Sequence, residues 1–132
     1  MLAKTIILAI LSLSSFAVVF LDIEITHEKG LDEKMILKSE LSSRERADHR
    51  KEIFLQMKNG IQLKLSSNFE EEGDDIGPSS VIKMKGILQD ISAVSKEPKT
   101  FDLNVKVNES GSVEFKSKEG QKTKVKVTPR IK

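Results

Sequence analysis

From Val19 onward, apolar residues recur at every second position, and no long segment repeats with the 3.6-residue period of a helix. Successive side chains of a strand point to opposite faces, so a chain patterned this way buries its apolar set on one face of extended strands. Val19, Leu21, Ile23 and Ile25 alternate with Asp22, Glu24 and Thr26, predicting a half-buried strand. Gly30 and Asp32 mark a turn, and Met35, Leu37 and Leu41 alternate with Lys38 and Glu40 in a second strand. Ser42 to Lys51 reads as a polar connection with room for one exposed helical turn.

Ile53, Leu55 and Met57 alternate into Lys58-Asn59-Gly60, and Ile61, Leu63 and Leu65 alternate out of it. Asn-Gly between two alternating runs predicts a hairpin, here with a two-residue type I′ turn in which both residues take positive φ. Asn68 to Ser80 is an acidic, Gly- and Pro-containing loop. In Val81 to Ile91 the apolar phase slips at Gly86, from Ile82 and Met84 to Ile87 and Ile91, which predicts a β-bulge. Ser92 to Lys99 connects to a strand carrying Phe101, Leu103, Val105 and Val107. Asn108 to Gly111 turns into a short strand with Val113 and Phe115, and Lys118-Glu119-Gly120 turns again. Thr123, Val125 and Val127 alternate with Lys122, Lys124 and Lys126 until Pro129, which is expected to end the ladder.

The expected fold is therefore all-β: an antiparallel sandwich or small barrel of about eight strands. One internal echo stands out. Ile53, Leu55, Lys58, Gly60, Lys64 and Leu65 match Val113, Phe115, Lys118, Gly120, Lys124 and Val125, sixty residues on. Any lysine-faced hairpin has this pattern, so the echo does not require a duplication. The segment from Val113 to Ile131, with its Gly120-Gln121 turn and Pro129, resembles hairpins of bacterial secretin domains, and the resemblance does not extend to the rest of the chain.

Ahead of the strands stands a different kind of segment. Lys4 precedes an apolar run from Ile6 to Leu13, and Ser15 and Ala17 then place small residues two apart. Charge, apolar run and small-residue site are the three parts of a secretory signal. We therefore divide the chain into a signal peptide, residues 1–17, and one β domain, residues 18–132, expected in the periplasm or secreted. The alternative is a membrane anchor through residues 5–21, an uncharged stretch at the lower limit for spanning. The membrane is then met only through this segment, if it stays uncleaved.

Composition narrows the function. The 132 residues include no cysteine, which excludes a disulfide framework, a thiolate zinc site and a thiol nucleophile. A net charge of +2, with no Trp and no Tyr, gives no basis for nucleic-acid binding, which draws on basic patches and stacking rings. The acidic run Glu70 to Asp75 lacks the ligand spacing of an EF-hand and reads as a solvated loop rather than a calcium site. His27 and His49 have no nucleophile motif or zinc-ligand spacing beside them. No catalytic residue, metal site or cofactor is expected.

The remaining candidates are lysines. Lys116, Lys122, Lys124 and Lys126 fall on the polar side of the last hairpin, and Lys106 falls on the polar side of the strand before it. Such a row can contact an anionic surface, or it can simply discourage edge-to-edge aggregation. The expectation is a non-enzymatic exported domain that binds another cell-envelope component, an unknown protein or an anionic one. The alternative is a small β-barrel carrier of an apolar ligand.

Overall fold

The alternating runs become eight strands: β1 (Val19–Gly30), β2 (Ile36–Ala47), β3 (Glu52–Gln56), β4 (Ile61–Asn68), β5 (Val81–Asp90), β6 (Lys99–Lys106), β7 (Gly111–Lys116) and β8 (Gln121–Ile131). The computed structural model describes residues 18–30, 36–48, 51–68, 76–91, 97–116 and 120–131. The signal segment, Met35, His49, the acidic run and Lys118-Glu119 lie outside the described residues. The strands form two four-stranded antiparallel sheets, A in the order β2-β1-β8-β7 and B in the order β3-β4-β5-β6. Within sheet B neighbouring strands are consecutive in sequence, and in sheet A β8 returns to pair with β1; β2 and β7 are the edges of sheet A, and β3 and β6 those of sheet B.

One core joins the two sheets. Leu21, Ile23, Ile25, Val125 and Val127 from sheet A share it with Leu63, Leu65, Ile82, Met84 and Val105 from sheet B. Each of these is 4% exposed or less. Burying a side chain of this kind contributes about 1.5–3 kcal/mol, so the inner faces supply the driving force for pairing the sheets.

The sixty-residue echo has a structural counterpart. Hairpin β3–β4 lies at one end of sheet B, and hairpin β7–β8 lies at the corresponding end of sheet A. Their registers are the same sixty residues apart: Ile53 pairs with Leu65, and Val113 pairs with Val125.

Five local expectations are corrected. Residues 42–47 are strand, not connection: β2 pairs with β1 without a break from Ile36 to Ala47. Its inward positions Ser39, Leu41, Ser43 and Glu45 are only half-buried, so the polar sequence belongs to an edge strand that reaches past the covered core. The Leu37 side chain, expected in the core, is 53% exposed.

The Asn59-Gly60 turn is a three-residue loop. Gly60 N–H donates to Met57 O at 3.1 Å, and Met57 N–H donates to Ile61 O at 2.8 Å. Gly60 alone in the turn takes positive φ, 99°, while Asn59 does not. This is the type I turn followed by a left-handed glycine.

Nor is there a bulge at Gly86. Alternation runs unbroken through β5, Gly86 faces the core, and Ile87 and Ile91 are 42% and 40% exposed. Pro129 does not end its ladder either, because β8 continues to Ile131 and Pro129 pairs with Leu21. Pairing with β7 stops at Val127, so the N–H that Pro129 lacks is not needed on that side. Its carbonyl accepts the Asn108 N–H at 2.8 Å.

Candidate binding surfaces

Because odd-numbered positions of β1 and β8 turn inward, the even-numbered ones form the outer face of sheet A. Lys122, Lys124 and Lys126 line up there on β8, with Lys116 beside them on β7. The neighbouring strand brings acids to the same row: Glu28 stands opposite Lys122, and Glu24 stands opposite Lys126. On the other flank Glu114 stands opposite Lys124. Glu114 Oε1 lies 3.6 Å from both Lys116 and Lys122, and Glu24 Oε2 lies 3.8 Å from Lys126. The lysine row is therefore one stripe in a face of alternating charge.

The same face holds a tighter cluster. Asp22 accepts a bidentate pair from Arg44 on β2, with Nη2 to Oδ2 at 3.0 Å, and a further bond from Arg130 Nε on β8 at 3.0 Å. The Arg44 bond holds the Asp22 carboxyl below the usual carboxylate range, partial burial opposes it, and Arg130 adds to the lowering.

Lys106 does not belong to this row. It lies on β6, on the outer face of sheet B opposite Val81. That face is built differently. Phe54, Lys64, Ile87 and Thr100 form one row across the four strands. Glu52, Ser66, Lys85 and Asp102 form the next, and Asn68, Lys83 and Asn104 the one after. Phe54 is 51% exposed and Val81 47%. Lys64 thus stands between two exposed apolar side chains, and four lysines share the face with two carboxylates, Glu52 and Asp102.

Sequence reasoning did not assemble this face. Phe54 is out of phase in the run Ile53, Leu55, Met57, but a single apolar residue on the polar side of a strand is ordinary, and only the strand order sets it in one row with Ile87. Ile87 was hidden by the slip inferred at Gly86.

His27 sits at the end of the core, 7% exposed, with Nδ1 at 2.7 Å from the Oγ1 of Thr123, also 7% exposed. Burial lowers its pKa below 6.5; Asp90 opposes this and Lys29 adds to it. Among the described residues no three His, Asp or Glu side chains gather into a metal-binding group.

Compared with models of protein families, with curated proteins and with solved structures, the chain matches none.

Proposed function

We propose that this chain is an exported, non-enzymatic binding domain whose sheet B face meets an anionic component of the cell envelope. The observation that carries this reading is the row Phe54-Lys64-Ile87, where a lysine and exposed apolar side chains share one sheet face with Lys83, Lys85 and Lys106. Cations draw such a face to an anionic layer, and the apolar side chains enter its boundary. The β8 lysines fit this role less well, since Lys122, Lys124 and Lys126 each stand directly opposite a carboxylate, whereas among the described pairings of sheet B Lys85 alone does, opposite Asp102.

The order of the N-terminal segment supports export. The start of β1 supports removal of that segment over its use as an anchor: Val19 and Leu21 are committed to the core. The uncharged run left for lipid is then Thr5 to Val18, 14 residues, short of the roughly 17 that spanning requires. Two separate four-stranded sheets, with core side chains filling the inner positions of both, support a packed sandwich over the carrier alternative.

The test is titration of the protein with vesicles of phosphatidylcholine with and without phosphatidylglycerol. Binding is expected only to the anionic vesicles, weakening steeply as salt rises. Changing Lys64, Lys83 and Lys85 together to Gln is expected to weaken it about a hundredfold, from roughly 1 kcal/mol per lysine near the surface. Absence of binding at low salt overturns the reading.

A further inference from the structure

We infer that two copies of this chain join edge to edge through β2, about a two-fold axis at Ser43. β2 ends sheet A, runs for 12 residues and, among the described residues, pairs only with β1. Its outward side chains Lys38, Glu40, Ser42, Arg44 and Arg46, followed by Asp48, form a charge sequence complementary to its own reverse. With Ser43 opposite Ser43 in an antiparallel pair, Lys38 of one copy faces Asp48 of the other and Glu40 faces Arg46. The axis repeats both pairs.

Within one copy Lys38 already lies 3.0 Å from Glu40, and Arg46 lies 3.2 Å from Asp48. Across the axis each charge of the two couples faces its opposite; Asp48 stands one residue past β2 and also lies 3.8 Å from Lys51, so the Glu40–Arg46 pair is the principal one. The register is selected against its neighbours. Centred on Leu41, Lys38 meets Arg44; centred on Ser42, the attraction of Glu40 for Arg44 is cancelled by Lys38 meeting Arg46; centred on Arg44, that residue meets itself and Glu40 meets Asp48. Like charges directly opposite destabilise a strand pair, and opposite charges stabilise it. Outward faces remain outward, so the axis stands perpendicular to sheet A.

Both B sheets then lie on the same side of the continuous sheet, and their outer faces point the same way. This consequence rests on the proposed binding face and would give bivalent contact with one flat surface. The pairing itself does not rest on that face.

The experiment is sedimentation equilibrium of the protein recovered from an exporting host, without lipid. Wild type is expected to dimerise. Glu40→Arg alone and Arg46→Glu alone are each expected to weaken the dimer at least about tenfold, with unchanged circular dichroism. The double variant Glu40→Arg/Arg46→Glu is expected to recover it, and an equimolar mixture of the two single variants is expected to form a heterodimer. A monomeric wild type overturns the inference, as does a dimer that neither single variant weakens or that the double variant fails to restore. Vesicle binding by a monomer would leave the proposed function standing while removing this pairing.

Discussion

Gly86 and Phe101 pair across β5 and β6, and the Phe101 ring lies where a side chain at position 86 would stand. A glycine in a strand weakens it by entropy and by the contacts it lacks, and a neighbouring ring laid over it restores those contacts. The same ring reaches Phe115 on β7, with centroids 6.0 Å apart at 54°. One glycine thus lets one aromatic side chain join sheet B to the adjacent edge strand of sheet A, β7.

Gly86→Ala is therefore expected to destabilise by about 1–3 kcal/mol through overpacking. Phe101→Ala is expected to cost about 3–5 kcal/mol. The combination Gly86→Ala/Phe101→Leu should cost clearly less than the sum of Gly86→Ala and Phe101→Leu measured singly, because the smaller side chain clears the methyl. Urea melts of the three variants measure the coupling; strict additivity would place the ring elsewhere.

The turn at Gly60 is distinguished from a type I′ turn by its partner. With φ at 99°, Gly60→Ala is expected to cost about 1–2 kcal/mol. Asn59 lacks a positive φ, and its Oδ1 accepts the Ile61 N–H at 3.1 Å. Asn59→Ala should therefore lose that hydrogen bond, about 0.5–1.5 kcal/mol, and Asn59→Gly should bring no relief of strain. Thermal melts decide, and stabilisation by Asn59→Gly would restore the two-residue turn.

These cases show how far the pattern of the sequence reaches. Period-two alternation identified most of the strands, and the inward sets of β1, β3, β4, β6 and β8 follow it directly. It failed where a side chain's neighbour decides its face. Ile87 reads as core until Gly86 is seen to make room for Phe101, fifteen residues away. The polar half of β2 reads as a loop because its support comes from β1 rather than from its own apolar residues. The candidate surface was legible only as a lysine row. Strand order is not encoded in spacing, and it alone puts Glu24 and Glu28 beside lysines about a hundred residues later.

His27 gives stability a pH dependence of definite sign. Burial keeps its folded pKa below the ordinary 6.5, so below that pH the unfolded chain binds the proton first. Stability is full above 6.5 and falls as pH drops from there toward the folded pKa. His27→Gln is expected to lower stability at pH 7.5, where it disturbs the bond to Thr123, and to remove the part of the decline below pH 6.5 that His27 causes. Melting temperatures of the two proteins across that window test this, and parallel curves would assign the decline to other groups.

The β8 lysines should behave as structural charges. Their neighbours Glu24, Glu28 and Glu114 lie on strands β1 and β7, so each cation is attracted on at least one side. Exposed pairs of this kind contribute only about 0.2–1 kcal/mol each, and salt screens them. Changing Lys122, Lys124 and Lys126 together to Gln leaves the three carboxylates facing one another across the strand without cations between them. The triple variant is therefore expected to melt a few degrees below wild type in low salt, with the gap closing in about 1 M salt, where the Debye length is roughly 3 Å. Its binding to anionic vesicles should fall far less than that of the Lys64, Lys83 and Lys85 variant, because it removes charges that the acids already balance. A triple variant that keeps its melting temperature in low salt but loses vesicle binding would reverse the assignment and return the binding surface to sheet A.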